Sequence, residues 1–414
     1  MRLSRWIVTS FACEGLNWRP IGTLVQPPNL ERFHMKVAII EPVGGHGGMN
    51  YYDLSLCHAL VQASVTPVLF TCPETVVPAG LPFVVREEFR GVFGRDAAWL
   101  RGVRFLRATV SALSCAKRTG CEIVHFHIFH PGPLELLNVV IARVRGFRVV
   151  ATAHDVESFG GSFRGVARMV YGLADKLIAH NNSSRRELVE TLGLPADVVD
   201  LVPHGNYIGS LGRLVSKGEA RAKIGITREG PVLLFFGQIK EVKGLDLLID
   251  AIPTVRARFP GLTLVIAGRS WRQDFSRYMN KIEELDLARS CVIHHRYIPD
   301  DDVSTYYCAA DVVVLPYRRI YQSGVLLMAM SYGRAVVASD LEGMCEIVAH
   351  GETGFLFRAG DPASLADVII EALSDPETLE TVARAGRSHV ADAYAWERSG
   401  QLTALTYQEA LSKQ

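Results

Sequence analysis

The chain alternates short, unbroken apolar runs with longer amphipathic stretches, and it does so twice. The first series has apolar runs at 36–41, 66–71, 122–128 and 147–153, separated by helical patterns at about 49–63, 97–118 and 134–145. A polar stretch then intervenes, and a second series follows with runs at 232–236, 262–267, 290–294, 311–316 and 335–339. Apolar runs that do not alternate with polar residues are strands buried on both faces, and strands alternating with helices make parallel sheets covered on both sides. The predicted class is therefore α/β, with two doubly wound, Rossmann-like domains. Two such domains facing each other would leave an interdomain cleft between two sets of strand ends, where doubly wound sheets take their ligands.

Length agrees, since 414 residues exceed what one ordinary core holds. Residues 1–34 read as a loose N-terminal extension: Arg2 and Arg5 precede a short apolar stretch that Glu14 interrupts, and the first buried strand opens at Met35. The N-terminal domain is expected over 35–206, a linker region over 207–228, the C-terminal domain over 229–394 and a terminal helix over 395–414.

Composition excludes several functions. Lys plus Arg (44) balance Asp plus Glu (43), so no global field favours nucleic acid. No run reaches the ~18 to 20 apolar residues of a membrane helix. The eight cysteines are scattered without a Cys-x-x-Cys pair, which points to a reducing, cytoplasmic setting.

The motifs with chemistry follow the strands. Gln322-Ser323-Gly324-Val325 opens an apolar helical run just beyond the strand that ends at Tyr317. A helix start offers unpaired N–H groups and a positive dipole end, which suit a diphosphate. Gly237-Gln238-Ile239-Lys240 and Lys243-Gly244 follow the strand at 232–236, and either lysine would neutralise a departing diphosphate. Gly44 to Gly48 follow the first strand, and their missing side chains permit close approach, although the spacing is not that of a dinucleotide-binding loop. His154, Asp155 and Glu157 stand at the end of another strand. His125, His127 and His130 have no carboxylate or cysteine at ligand spacing, so no metal site is expected. Asp300-Asp301-Asp302 reads as a helix start. The 97–118 helix is both apolar and basic; it would lie on anionic lipid or, as the more ordinary reading, cover the sheet with its Arg stems.

Taken together, these motifs resemble those of the family-4 retaining glycosyltransferases (glycosyl transferases group 1), which have the GT-B fold. The resemblance runs from about Met35 to the C-terminus and is most specific from Val232 to Leu356. It implies that Lys243 contacts the donor diphosphate, that Ser323, Gly324 and Val325 hold it through their backbone, and that Gly47 and Gly48 form the N-domain glycine pair. His154 matches the histidine lying against the transferred sugar, and Glu346 a common acidic position. Gln238 stands where many members have Arg, with Lys240 to supply the charge. Two glutamates of the family pattern fall here on Ile320 and Met328, and Gln322 would replace one of the lost contacts. The Phe-Gly-x-Ile, Lys-Gly and Gln-Ser-Gly-Val pattern is similar to a bacterial subgroup of exopolysaccharide and lipid-linked oligosaccharide synthesis.

The implied function is metal-independent, retaining transfer of a sugar from a nucleotide diphosphate to a glycan or polyprenyl-linked acceptor in cell-surface polysaccharide synthesis. The nucleotide sugar is a substrate and no cofactor is implied. The enzyme would be cytoplasmic, at the membrane's cytoplasmic face, with peripheral inner-membrane contact through 97–118. The rival readings are a catalytically silent nucleotide-sugar-binding subunit, as the missing glutamates would permit, and a nucleotide-sugar epimerase.

Overall fold

A computed structural model describes residues 35–45, 48–94, 96–154, 156, 164–271, 274–320 and 322–412. Residues 1–34, Gly47, Asp155 and Glu157, which figured in the sequence reading, lie outside the described residues. Over the described part the chain forms two compact units, one of Asn206–Ala393 and another that runs up to Gly205 and takes in the stretch from Tyr394 onward.

The unit ending at Gly205 has a parallel sheet of β1 (Met35–Ile40), β2 (Val65–Thr71), β3 (Val84–Glu87), β4 (Ile123–Ile128), β5 (Arg148–Ala153), β6 (Lys176–Ala179) and β7 (Val199–Leu201). Their spatial order is β3-β2-β1-β4-β5-β6-β7. The chain moves outward from β1 to β3 and then returns to β4, so β1 and β4 flank the switch point where such sheets bind ligands. In register, Ile40 lies opposite Phe70 on one side and Phe126 on the other, and β4 is buried at every position, His125 and His127 included.

Right-handed crossovers put the helices Ala98–Arg118, Pro133–Val144 and Arg164–Gly172 on one face of this sheet and Met49–Gln62 on the other. The terminal helix Trp396–Ser412 packs on Met49–Gln62, close enough that a Cβ on Gly400 would come within 2.7 Å of Ala59. That helix therefore completes the layer over the first sheet. It was expected only as a separate terminal element, because nothing in an amphipathic pattern names the surface that covers it.

The Asn206–Ala393 unit repeats the plan with β8 (Val232–Phe236), β9 (Thr263–Ala267), β10 (Cys291–His294), β11 (Val312–Leu315), β12 (Ala335–Ser339) and β13 (Phe355–Phe357), ordered β10-β9-β8-β11-β12-β13 and parallel throughout. Leu233, Phe235 and Val314 from the sheet, with Leu245, Leu248 and Ile252 from the covering helix Leu245–Arg258, form the centre of its core. The second switch point lies between β8 and β11. The expected strands lie within a residue or so of these positions, whereas β3, β6, β7 and β13 were missed. Each has only three or four residues, and β3 is an exposed edge while β6 opens on the buried Lys176. Lys176 is tolerated there because its ammonium meets Asp200 at 2.9 Å and Glu409 at 2.5 Å.

The Asp300-Asp301-Asp302 run occupies the first turn of the helix Asp300–Ala309, where its charges complement the helix dipole. The seven described cysteines are free thiols and five of them are buried, which fits their use as small hydrophobes. Among the described residues no helix is long and apolar enough to cross a membrane.

Candidate active site

At the switch point of the second sheet, Gly237 leaves β8 with φ +99°, a conformation that needs glycine. The chain then forms a short turn at Glu241–Lys243 and enters the helix Leu245–Arg258 through Gly244, φ +63°. A Cβ on Gly244 would lie 1.9 Å from the Pro316 carbonyl, so this loop is pressed against the exit of β11. Arg318 fastens the same contact: its backbone N–H donates to Val242 O at 2.7 Å, and its guanidinium grips Asp246 at 2.8 and 2.7 Å.

This arrangement sets Lys243 inward. Its ammonium lies 5.3 Å above the Tyr317 ring and 3.4 Å from where a Cβ on Gly237 would be, and burial pushes its pKa down to about 8. No carboxylate or hydrogen-bond acceptor pairs with it among the described residues. The same point beside Gly237 is 3.4 Å from Val325 Cγ2, so the lysine loop and the start of the helix Gly324–Ser331 converge on Gly237.

Ser323 caps that helix. Its Oγ accepts from Leu326 N at 3.1 Å, so the hydroxyl is already engaged, and the first N–H groups, those of Gly324 and Val325, are the ones a ligand could take. Gly324 cannot gain a side chain freely, since a Cβ would be 2.8 Å from the buried Tyr207 Oη. Tyr207 is itself fixed by its backbone N–H to Ser331 Oγ at 3.0 Å. Gly237, Lys243, Ser323, Gly324 and Val325 thus belong to separate sequence motifs that the fold brings together.

The remaining predicted residues are more dispersed. Lys240 caps the turn and lays its ammonium 5.6 Å from the centre of the Trp271 ring, while Gln238 is exposed. Gln322 is half-buried, immediately before the cap. Glu346 follows the short helix Glu342–Cys345 beyond β12. Ile320 and Met328, at the places of the family's two glutamates, are half-buried.

The first sheet gathers a different set. Its strands β4, β5, β6 and β7 each have a histidine on or just beyond their carboxyl ends: His127, His154, His180 and His204. All four rings surround Tyr52, with centroids 4.9 to 5.6 Å away, and Trp396 of the terminal helix closes the group at 5.2 Å. His154 stacks on Phe129 at 4.4 Å, and its Nε2 has no hydrogen-bond partner among the described residues. Burial, reinforced by neighbouring imidazoles, holds His154 well below the usual histidine range. Burial likewise lowers His180 to about 3 and His204 to about 4. Nδ1 of His180 faces Val202 O at 2.9 Å and Nδ1 of His204 faces Gly205 O at 2.7 Å, so both neutral rings carry their proton on Nδ1.

His127 is the exception and corrects the sequence reading. Its Nδ1 lies 3.3 Å from Glu41 Oε2 and 3.5 Å from Asp53 Oδ1, with all three side chains fully buried. Burial alone would lower its pKa, but the two carboxylates overcome that and raise it to about 9. The ligand atoms of the three groups lie within 4.8 Å of one another, a spacing that would also suit a cation. Glu41 follows β1 and Asp53 lies on Met49–Gln62, so neither stands near His127 in sequence. The fold supplies the carboxylates that spacing did not show, and the imidazolium serves as their counter-ion. His180 and His204 were also missed, although the recurrence of a histidine just after an apolar run at 154, 180 and 204 was a readable signal.

The glycines after β1 serve packing more than ligand approach. A Cβ on Gly44 would be 2.1 Å from Thr75 Oγ1 and one on Gly45 would be 1.9 Å from Glu74 O. Gly48, φ +85°, starts the helix Met49–Gln62 with nothing within 4 Å of a Cβ and remains the open position of that loop.

Two doubly wound parallel sheets in one chain, with polar groups collected at the strand ends, are the architecture of the GT-B glycosyltransferases. The Glycosyltransferase Family 4 model matches residues 46–206, and the Glycosyl transferases group 1 model matches 230–375. The chain is a glycosyltransferase of this family-4, GT-B type. It is 28% identical over 402 residues to the D-inositol 3-phosphate glycosyltransferase of Paenarthrobacter aurescens strain TC1, covering 89% of this chain and 94% of that one. The enzyme of the same name from Kribbella flavida is 26% identical over 431 residues, covering 94% and 98%. Among solved structures, sucrose-phosphate synthase from Thermosynechococcus elongatus shares the fold with a TM-score of 0.73 at 21% identity, over 92% of this chain and all of that one. HepE from Anabaena, solved in complex with UDP, does so with a TM-score of 0.71 at 19% identity, over 90% of this chain and all of HepE. The two curated relatives are named for inositol 3-phosphate and not for the exopolysaccharide and lipid-linked oligosaccharide subgroup that the glycine-loop pattern resembles.

Proposed function

We propose that this glycosyltransferase moves a sugar from a nucleoside diphosphate donor to a hydroxyl of a glycan or polyprenyl-linked acceptor, with retention at the anomeric carbon, in cell-surface polysaccharide synthesis. The observation that carries the donor reading is Lys243, a half-buried lysine whose desolvated ammonium meets no counter-ion among the described residues, beside the start of the helix Gly324–Ser331. A buried charge of this kind is costly unless an anion joins it. A diphosphate would meet Lys243 on one side and the N–H groups of Gly324 and Val325 on another, with Gly237 leaving room for it. Lys240, Gln238, Gln322, Ser323 and Glu346 are proposed as further donor-side groups, and Gly47 and Gly48 as the glycine pair of the other unit.

In the reaction, the bond from the anomeric carbon to the diphosphate oxygen breaks with its electron pair going to the diphosphate. The acceptor oxygen bonds to the same face of that carbon, and its proton passes to the departing diphosphate oxygen. Lys243 and the helix start stabilise the charge that grows on the leaving group, which is where such contacts raise kcat. His154, neutral and with a free Nε2, orients the transferred sugar. A polyprenyl-linked acceptor would place the enzyme at the cytoplasmic face of the membrane, touching it through Ala98–Arg118.

The test is a thermal-shift screen against GDP, UDP, ADP and their sugar conjugates, repeated with Lys243→Ala. A ligand at ~100 times its dissociation constant stabilises by about 2.7 kcal/mol. Stabilisation by one nucleotide class, abolished in the variant, supports the donor site; no shift with any nucleotide refutes it, whereas donor binding without transfer leaves the silent nucleotide-sugar-binding subunit as the better reading. Product analysis with a polyprenyl-linked glycan and with inositol phosphate, the group in the relatives' name, then separates the acceptor classes, and free nucleotide without a glycosylated product would point to the epimerase.

A further inference from the structure

The three helices on one face of the first sheet are apolar on the side that packs against protein and also on the side that does not. In Pro133–Val144, Asn138, Val139 and Ala142 face inward, while Leu134, Leu137, Val140 and Val144 are exposed, Val144 by 82%. At 100° per residue those four fall on one stripe opposite the buried one. In Ala98–Arg118, Trp99, Val103 and Val110 recur at i, i+4 and i+11 and form a second exposed stripe, with Trp99 72% exposed. Met169 on Arg164–Gly172 adds a third exposed group. The helices pack side by side, the first on the second and the second on the third. An outward stripe on a helix is ordinarily polar, and an apolar one repeated on adjacent helices marks an interaction surface.

Charge identifies the partner. Ala98–Arg118 carries five basic residues, Pro133–Val144 with the following Arg145 two, and Arg164–Gly172 two, nine in all, against the single acid Glu135. Glu135 is turned back to accept from Gly132 N at 3.2 Å. Arg107, Arg118 and Arg168 are exposed and without an acidic partner among the described residues. Apolar stripes interleaved with unpaired cations, on a chain whose overall charge is only +1, match an anionic phospholipid surface.

We infer that the face made by these three helices is a docking surface for anionic membrane lipid, with Leu134, Leu137 and Val144 entering the acyl boundary and Arg107, Arg118 and Arg168 meeting the headgroups. This deepens the membrane contact proposed for Ala98–Arg118 and rests on that contact, independently of the donor site.

The experiment is co-sedimentation of the full chain with phosphatidylcholine vesicles, with and without phosphatidylglycerol, at low and high salt. The expected result is binding that requires the anionic lipid and weakens at least tenfold with high salt. The surface variant Leu137→Glu with Val144→Glu should weaken binding at least tenfold, and Arg107→Glu with Arg118→Glu and Arg168→Glu should remove the preference for anionic lipid. Because all five positions are exposed, circular dichroism and the nucleotide thermal shift should match the parent, which separates failure of this surface from failure of the donor site. Four results would overturn the inference: absence of binding at low salt, equal binding to neutral vesicles, unaltered binding by both variants, or, in place of vesicle binding, self-association that Leu137→Glu with Val144→Glu abolishes.

Discussion

Lys243 makes a prediction whose size follows from its surroundings. A fall of its pKa from 10.5 to about 8 corresponds to about 3.4 kcal/mol of unfavourable charging in the empty site. A bound diphosphate supplies the missing counter-ion and restores the lysine toward its ordinary value, so binding takes up a proton once the pH exceeds about 8. The affinity for a nucleoside diphosphate should therefore be nearly level up to pH 7.5 and about tenfold weaker at pH 9 than at pH 7. Lys243→Arg, which does not titrate in this range, should flatten the profile, and Lys243→Met should bind at least tenfold more weakly with no pH dependence from this site. The empty Lys243→Met protein should be as stable as the parent or more so, because an uncompensated charge has gone. Isothermal titration calorimetry with UDP, GDP or ADP at pH 7, 8 and 9 reads the affinities. A parent profile that is level to pH 9, or a Lys243→Met variant that binds like the parent, refutes the reasoning.

Other predictions follow from the same geometry. Gly324→Ala places a methyl 2.8 Å from Tyr207 Oη and should weaken nucleotide binding, and adding Tyr207→Phe, which removes that oxygen, should restore most of the loss in a titration. His154→Asn should lower kcat by about 10²-fold through lost sugar orientation while leaving the affinity for the bare nucleotide unchanged, as initial rates and calorimetry would show. Stability should fall on acidification. His180 and His204 have folded pKa values of about 3 and about 4, below the unfolded value near 6.5, so each contributes stability that is present above pH 6.5 and is lost by about 1.4 kcal/mol at pH 5.5. His127, lowered by burial but raised overall by Asp53 and Glu41, has the opposite sign, and most of its gain is already present at pH 6.5; the carboxyl of Asp53, coupled to it and raised by burial and then by Glu41, also gains as pH falls, and the two together offset only part of the loss from the four lowered histidines. His125 and His154, both lowered by burial, add to the loss, so scanning calorimetry should show a lower Tm at pH 5.5 than at pH 7.

What the sequence determined by itself was the order of strands and helices and the identity of the residues that leave strand ends. Parallel strands buried on both faces leave runs such as those at 232–236 and 335–339 that no other element needs, and the glycines and lysines that follow them are local to each loop. Gly237, Lys243 and the Ser323 cap were therefore legible one by one. Their convergence was not, because adjacency of β8 and β11 across the switch point is set by sheet order, which joins residues about eighty positions apart. The same holds for Glu41, Asp53 and His127, from a strand end, a helix and a neighbouring strand, whose pairing turns a histidine with no carboxylate near it in sequence into a buried cation. Tertiary structure likewise decided that the terminal helix covers the first sheet and that one face of three helices was left apolar, since a helical pattern tells how many apolar sides a helix has but not which of them finds a neighbour.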